Sequence, residues 1–213
     1  MGSLFFLLLI LLLATIIGGL GWRVASKGRA MPCPAWLAPL LESPYVNAVA
    51  GAEVLLDRAR LEPGMKVLDV GAGPGRLTLP AAARVGPAGK VMAIDLQEKM
   101  VQRLRERAAA LGIENVEFRV VDVGQSELEE GTYDRAFLVT VLGEILEPGQ
   151  DLRKIYTALK DGGILTITEV FPDSHYQNKR MVCRLAEEAG FRPHEAFGKW
   201  FAFTLNFQKG SAP

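Results

Sequence analysis

The chain has 213 residues, in which 24 lysines and arginines balance 24 aspartates and glutamates, and 49% of the residues are hydrophobic. This length is enough for one substantial hydrophobic core. The balanced charge provides no global positive field that would recruit nucleic acid. The two cysteines are too few for a disulfide framework, and they belong to no metal-ligand cluster. We therefore expect neither a nucleic-acid partner nor a bound metal.

An apolar run opens the chain. Residues 4–20 contain no charged side chain, and their number is close to the ~17–25 residues that span a bilayer. Trp22 follows at the expected depth of the interface, and three basic residues precede the first acid, Glu42. They are Arg23, Lys27 and Arg29. Because such charges stay in the cytosol, we predict a single-pass membrane anchor over residues 1–22, with the rest of the chain cytoplasmic.

A cleaved signal peptide is the alternative interpretation of the apolar run. It fits less well, because no lysine or arginine precedes the run and the run is longer than the usual apolar core of a signal.

The composition of residues 23–44 predicts a proline-rich apolar linker or lid. Four of them need cover, either on the folded domain or in the lipid headgroup region. They are Trp36, Leu37, Leu40 and Leu41.

The folded domain is predicted over residues 45–213, beginning with a helix over residues 46–61. An apolar strand over residues 66–70 then runs into a turn with the spacing G-x-G-x-G, and a helix follows over residues 76–85. Glycines allow a tight turn and a close approach of the backbone to a ligand, while a helix N-terminus favours an anion. The pattern predicts a nucleotide-like cofactor. It lacks the G-x-G-x-x-G spacing of dinucleotide-binding proteins.

Four further strands are predicted, and the first two end in acids. The strand over residues 91–95 ends at Asp95, about 20 residues after the glycine turn, where such folds bind ribose hydroxyls. The strand over residues 116–121 is followed by Asp122. The other two cover residues 133–140 and 164–169, the latter after a turn over residues 160–163.

These ordered motifs resemble the class I S-adenosylmethionine (SAM) dependent methyltransferases, in which residues 67–76 correspond to motif I. Residues 158–163 are similar to the family's L-k-p-G-G signature, with Asp161 where proline is common. The resemblance implies SAM as the cofactor, with Asp122 binding the adenine amino group. The predicted cofactor-binding residues are Asp69, Gly71, Ala72, Gly73, Gly75, Asp95, Leu96, Asp122, Val123 and Thr140.

The remaining elements complete an alternation of strands and helices. Helices are predicted over residues 98–111, 150–159 and 178–189, and a strand pair over 192–197 and 200–208 around Gly198 and Lys199. Alternation implies a mostly parallel sheet with helices on both faces. The fold class is therefore α/β, a Rossmann-like, seven-stranded, doubly wound sheet, preceded by one transmembrane helix. The resemblance adds an antiparallel last strand.

One competing pattern lies in the same region. Tyr156 and Lys160 have the Tyr-x-x-x-Lys spacing of short-chain dehydrogenases, which would imply a nicotinamide cofactor. The glycine spacing argues against this interpretation, and the pair lies on a helix that leads directly into the Asp-Gly-Gly turn.

Candidate catalytic residues follow the fourth and fifth strands. Methyl transfer from a sulfonium depends mainly on positioning, with deprotonation where the acceptor requires it. Glu144 follows the fourth strand, and His175 and Tyr176 follow the fifth. His175 is the best candidate for a general base, although a loop histidine with one structural hydrogen bond is the alternative. His194 lies on a peripheral strand and is a weaker candidate.

The acceptor is predicted from the anchor together with the resemblance. The cofactor half is similar to ubiquinone/menaquinone C-methyltransferases and phospholipid N-methyltransferases. We therefore predict a membrane-anchored methyltransferase whose partner is a small lipophilic or lipid acceptor. Arsenite methyltransferases are also similar, but they rely on several cysteines, whereas this chain has only Cys33 and Cys183. A protein methyltransferase with a membrane partner and a non-catalytic SAM-binding scaffold are the alternatives.

Overall fold

The computed structural model describes residue 6 and residues 50–171, 173 and 175–210. The predicted anchor over residues 1–22 and the predicted linker over residues 23–44 therefore lie outside the described residues, apart from Phe6. Within the described part, no helix combines the length and the apolar character that a membrane crossing needs. The anchor, the linker and their boundaries stay predictions.

Seven strands form a single sheet. They are β1 (Lys66–Val70), β2 (Lys90–Asp95), β3 (Val116–Val120), β4 (Tyr133–Val139), β5 (Leu159–Val170), β6 (Arg192–Lys199) and β7 (Ala202–Gln208). Their order across the sheet is β3-β2-β1-β4-β5-β7-β6. Strands β1 to β5 pair in parallel, and β7 is antiparallel to both of its neighbours. The predicted mostly parallel sheet with an antiparallel last strand is confirmed.

Helices cover both faces of the sheet, also as predicted. They are α1 (Ala52–Arg58), α2 (Thr78–Val85), α3 (Glu98–Ala110), α4 (Pro148–Ala158) and α5 (Lys179–Glu188). The apolar sides of α1 and α2 pack with β1 and β4 around Phe137. The apolar sides of α4 and α5 pack on the opposite face, against Leu165 and Ile167 of β5. Central strands with two covered faces need continuous apolar sequence, which β1, β2 and β4 have.

The helix predicted over residues 46–61 is interrupted at Gly51 and ends early, and the second helix begins later than the sequence indicated. Gly51 has extended backbone angles, φ −66° and ψ 149°, so α1 begins at Ala52. It ends at Arg58, and Arg60 has a positive φ of 50°. Helix α2 begins two residues later than predicted, at Thr78, because the glycine turn continues through Leu77.

Two predicted turns are in fact parts of strands. The turn predicted over residues 160–163 belongs to β5, where Gly162 N–H donates to the Lys209 carbonyl at 3.1 Å and Lys209 N–H donates to the Gly163 carbonyl at 2.9 Å. The predicted hairpin turn at Gly198 and Lys199 is also wrong. Both residues pair with β7, and the turn lies at the next two residues, Trp200 and Phe201.

The sheet topology indicates where a ligand crevice is expected. After β1 the chain crosses over to β2 on one side, whereas β4 lies on the other side and leads on to β5. Loops that leave β1 and β4 at their carboxyl ends therefore diverge. A ligand crevice forms at such a switch point.

Candidate active site

The glycine turn after β1 is held against the end of β2. The N–H groups of Gly71 and Ala72 both donate to the Ile94 carbonyl, at 2.8 and 3.0 Å. Gly71 has φ +74°, and a Cβ atom there would lie 2.3 Å from Val141 Cγ2. Gly73 has φ +53°, but a Cβ atom there would meet nothing within 4 Å. The turn is therefore closed on the side of the β4 loop and open at Gly73.

Asp95 lies at the end of β2, where the turn orients its carboxylate. Oδ2 accepts from Gly73 N–H and Oδ1 from Gln97 N–H, both at 2.8 Å. Burial raises the pKa of Asp95, and the two backbone donors counteract the shift. Each carboxylate oxygen has two acceptor sites, so each can accept one more hydrogen bond. Asp95 can thus receive two ribose hydroxyls without losing the contacts that orient it.

Asp69 has a different environment. It is 3% exposed, and its Oδ2 accepts from the Thr78 hydroxyl at 2.6 Å. Burial raises the pKa of Asp69 to about 6, the Thr78 hydrogen bond lowers it, and the charge of Asp95 raises it further. The side chain therefore joins β1 to the first residue of α2 beneath the turn. Its predicted contact with the cofactor stays a prediction.

Replacing Thr78 with valine should destabilise the protein by about 1–2 kcal/mol at pH 7.5, because a buried carboxylate loses a hydroxyl donor. The Thr78 hydroxyl lowers the pKa of Asp69, so it stabilises the ionised form more than the neutral form. The loss should therefore be larger at pH 7.5 than at pH 5, where most of Asp69 is protonated. Urea denaturation at the two pH values measures the difference.

Thr166→Val is the matched control. Thr166 is also fully buried, but its hydroxyl donates at 2.9 Å to the neutral amide oxygen of Asn206. The destabilisation caused by Thr166→Val should therefore depend little on pH. Equal pH dependence in the two variants would contradict the role given to Asp69.

Asp122 lies after β3, and a second acid faces it. Its Oδ1 accepts from Gly124 N–H at 2.8 Å. Asp151, on α4, is 3% exposed, and its pKa is raised to about 6 by burial and then by the charge of Asp122. Lys154 Nζ donates to the Gly124 carbonyl at 2.6 Å, which ties α4 to this loop. The sequence analysis did not identify Asp151, because nothing local distinguishes it from an ordinary acid in the first turn of a helix.

The two apolar candidates near these acids differ in exposure. Leu96 is 48% exposed directly after Asp95, whereas Val123 is 5% exposed and belongs to the core beside α4. An exposed leucine beside an ordered carboxylate can pack against the flat face of an adenine ring. Val123 can contribute only through its backbone or through packing.

Thr140 ends β4 in an unusual conformation. Its φ is +56°, which is a rare value for a β-branched residue. Its N–H donates to the Thr168 carbonyl at 2.8 Å, and its hydroxyl donates to the Val139 carbonyl at 2.7 Å. Such strain persists only where neighbouring structure enforces it, and it concentrates at functional sites. The next residue, Val141, fills the space beneath Gly71, so Thr140 marks where the ends of β1 and β4 meet.

The arrangement at the ends of β1 to β3 fits SAM. The open side of Gly73 leaves room for a ligand backbone, and Asp95 keeps acceptor capacity there. Asp122 offers acceptor atoms at the end of the next strand. SAM would then be held by the turn, by Asp95 through its ribose, and by Leu96 and Asp122 through its adenine.

The predicted catalytic residues come together at the ends of β4 and β5. His175 Nδ1 lies 3.6 Å from Glu144 Oε1, and both side chains are mostly buried. Glu144 belongs to a short 3₁₀ helix, Leu142–Glu144, that approaches the loop after β5 very closely. A Cβ atom at Gly143 would lie 1.9 Å from the His175 carbonyl oxygen. The two side chains thus place an imidazole and a carboxylate at the same edge of the sheet.

Tyr176 has a more structural environment than the other two. Its hydroxyl donates to the Trp200 carbonyl in the hairpin turn. Its ring makes edge contacts with Phe171 and Phe203, with centroids 6.2 and 6.0 Å apart. Burial raises the pKa of Tyr176, and the charge of Glu169 raises it further. The residue joins the loop after β5 to the β6–β7 hairpin.

Glu169 is a second residue that the sequence analysis missed. It lies one residue from the end of β5, is 1% exposed, and accepts from Gln177 N–H through Oε2 at 3.0 Å. Burial raises its pKa to about 8, with Asp173 and Glu144 adding to the shift. The available signal was an acid at the end of an apolar strand, the same signal that identified Asp95.

Three other candidates lie away from this edge. His194 Nε2 is 3.9 Å from its neighbour Glu195 on the outer strand β6. Lys160 pairs with Asp134 at 2.7 Å, near the start of β4 and so opposite the glycine turn. Tyr156 packs edge-on against Phe191. Within the described residues, no three His, Cys, Asp or Glu side chains are grouped so as to hold a metal ion.

Comparison with known proteins agrees with this geometry. A family described as "Methyltransferase domain" matches residues 61–204. An arsenite methyltransferase of Aquipseudomonas alcaligenes is 35% identical over 155 residues, covering 68% of this chain and 44% of the relative. A ubiquinone/menaquinone biosynthesis C-methyltransferase of Hydrogenovibrio crunogenus is 32% identical over 115 residues, covering 54% of this chain and 45% of the relative. The chain thus spans less than half the length of these curated relatives.

A solved structure extends the similarity to the whole fold. The crystal structure of a SAM-dependent methyltransferase from Aquifex aeolicus superposes with a TM-score of 0.75 at 27% identity, covering 84% of this chain and all of that one. With the glycine turn, the acids after β2 and β3 and the sheet order, these matches show that the chain belongs to the SAM-dependent methyltransferases of class I.

Proposed function

We propose that the protein transfers a methyl group from SAM to a small lipophilic acceptor that binds at the ends of β4 and β5. One observation carries this proposal, namely that titratable and aromatic side chains meet there. The Glu144–His175 pair lies beside a group of rings formed by Phe171, Tyr176 and Trp200. Phe171 is 44% and Trp200 69% exposed. An acceptor with an apolar body and a polar reactive end suits such a site.

Methyl transfer from SAM needs little covalent catalysis by the protein. Bound SAM supplies a methyl carbon activated by its sulfonium centre. The chain contributes orientation of the acceptor, exclusion of water and a place for the acceptor's proton. His175, Glu144 and Glu169 are the titratable candidates for taking that proton, and Tyr176 keeps the loop in place through the hairpin turn.

The relatives' names include both a metalloid and a quinone acceptor, and the environment of Cys183 favours the quinone-like class. One relative is named for ubiquinone/menaquinone biosynthesis, which supports an aromatic, lipophilic substrate class. Another is named an arsenite methyltransferase. The only cysteine within the described residues is Cys183 on α5, and burial raises the pKa of its thiol, which disfavours the thiolate that a metalloid would bind. A phospholipid that is methylated at its headgroup also belongs to the proposed class of lipophilic acceptors.

Product analysis tests the proposal. The full-length protein is incubated with SAM and a membrane lipid extract, and S-adenosylhomocysteine release and methylated products are followed by mass spectrometry. We expect release that depends on the extract, with the methyl group in a small lipophilic product. Methylation of a protein in a membrane fraction would instead support a protein methyltransferase. SAM binding without release would support a scaffold.

We further propose that residues 1–22 anchor the enzyme in the membrane, with the domain over residues 45–213 in the cytoplasm and residues 23–44 as a linker or lid. The support is the uncharged run over residues 4–20 and the basic residues after it. A lipophilic acceptor in the inner leaflet would then meet the active site at a raised local concentration.

Deleting residues 1–22 should reduce turnover of an acceptor embedded in liposomes by about tenfold or more, through lost effective concentration. Turnover of the same acceptor in detergent solution should change little, since no cofactor or catalytic motif lies in that segment. Initial rates in the two media, with SAM affinity as the control, give the comparison. Equal losses in both media would mean that the segment helps to build the active site.

A further inference from the structure

The Glu169 carboxyl group has a geometry that the glycine turn and the Glu144–His175 pair do not explain. Strand β5 places Leu165 and Ile167 in the core beneath α4 and α5. Side chains two residues apart share a face of a strand, so Glu169 continues this row at the carboxyl end. It therefore lies on the face where the 3₁₀ helix and the loop after β5 meet.

One of the two oxygens of the Glu169 carboxyl group lacks a hydrogen-bond partner within the described residues. Oε2 accepts the Gln177 N–H, whereas Oε1 is buried and has no hydrogen-bond partner within the described residues. Buried polar atoms in native proteins nearly always have a partner, so an unpartnered one calls for an explanation. At 1% exposure, burial makes ionisation costly and raises the pKa of Glu169 to about 8. Most of the group is therefore protonated at pH 7, and the ionised fraction grows as the pH approaches 8.

The charged and titratable neighbours come from three elements. Glu144 of the 3₁₀ helix and Asp173 of the loop after β5 both raise the pKa of Glu169. His175 faces Glu144, and the Tyr176 ring packs against Phe203 of β7. Lys179 of α5 lies over the ring of the same Phe203, with Nζ 5.4 Å from the ring centroid. The setting therefore combines aromatic rings with several acidic side chains.

We propose that Glu169 is the general base for the acceptor and that the acceptor carries an acidic hydroxyl group, as a phenol does. This inference rests on the proposed function. The acceptor hydroxyl donates to Oε1 and so satisfies the unpartnered atom. A base is most effective when its pKa lies near the working pH, and phenols titrate near pH 10, close enough for transfer in the transition state.

The step balances without any further reagent. The acceptor oxygen forms a bond to the methyl carbon, while the bond between that carbon and sulfur breaks and its electron pair stays on sulfur. The hydroxyl proton moves to Glu169 Oε1, which must be ionised when the acceptor binds. Glu169 releases this proton after the methylated product has left, which restores the carboxylate for the next turnover.

The test compares E169Q with the wild-type full-length enzyme on 4-octylphenol and on 2-nitro-4-octylphenol, whose hydroxyl is already ionised near neutral pH. We expect kcat for 4-octylphenol to fall about 100-fold or more, while the nitrophenol rate and SAM affinity change only a few fold. The wild-type rate on 4-octylphenol should rise with pH toward about 8, and E169Q should lose this rise. T168V is the matched control, because Thr168 is a buried neighbour on the opposite face, bonded to Thr204.

A readout independent of turnover is the protonated carboxyl band in the infrared spectrum. The difference between wild type and E169Q should contain this band at pH 7 and lose it as the pH rises through about 8. A band that persists well above pH 8, or equal losses on both phenols in E169Q, would overturn the inference and leave Glu169 a structural anchor for the loop.

Other outcomes separate this inference from the proposed function. Turnover of octylamine alone, or of the lipid extract but neither phenol, would overturn the hydroxyl acceptor and leave the methyltransferase function intact. Release of no S-adenosylhomocysteine with any probe or with the lipid extract would overturn both.

Discussion

Replacing Gly71 with alanine is expected to destabilise the protein by about 2–5 kcal/mol and to abolish most SAM binding. Two costs add up. A non-glycine residue at φ +74° costs roughly 1–2 kcal/mol, and overpacking against Val141 costs about 1–3 kcal/mol more. Because Gly71 and Ala72 both donate to the Ile94 carbonyl, the displacement would also move the turn away from β2. Urea denaturation and calorimetric titration with SAM measure the two effects.

Gly73→Ala is the matched control for this prediction. Gly73 also has a positive φ, +53°, but no atom lies within 4 Å of the added Cβ. We expect only the conformational cost, about 1–2 kcal/mol. In the double variant Gly71→Ala/Val141→Ala the steric part should be relieved, so the two losses should not add. Equal destabilisation by Gly71→Ala and Gly73→Ala would show that the contact with Val141 is unimportant.

Replacing Asp95 with alanine is expected to weaken SAM binding by about 1.5–3 kcal/mol, roughly tenfold to a hundredfold or slightly more. The reason is the loss of charge-assisted hydrogen bonds to the ribose hydroxyls. The carboxylate also accepts from Gly73 and Gln97 N–H, so the open part of the turn loses its orientation at the same time. Calorimetry with SAM and with S-adenosylhomocysteine should show the same loss.

Asp134→Ala is the control for Asp95. Asp134 accepts from Lys66 N–H at 2.8 Å and pairs with Lys160, so it too is a strand acid with two partners. It lies near the start of β4, at the opposite edge of the sheet from the turn. Its removal should lower stability but leave SAM affinity unchanged. Unchanged affinity in Asp95→Ala, or an equal loss in both variants, would remove Asp95 from the cofactor site.

Much of the cofactor half could be predicted from the sequence because its signals are local. An apolar run that ends in a glycine turn determines β1 and the turn, and the terminal acids Asp95 and Asp122 lie next to the strands that position them. The ends of strands were predicted less accurately where they depend on pairing with a neighbouring strand. The β6–β7 turn lies at Trp200 because the register with β7 extends through Lys199, although Gly198 is the better turn residue by local preference.

The sequence by itself thus determined the order of the elements, the fold class and the location of the cofactor turn, since hydrophobic periodicity and glycine spacing act within a few residues. Only the tertiary structure decided which side chains meet. Glu169 and Asp151 resemble ordinary acids in the sequence, and they become distinctive through burial against segments far away in the chain, the 173–177 loop and the loop after β3. Burial and charge proximity depend on such long-range neighbours, and for that reason packing decides which side chains meet at the ends of β4 and β5.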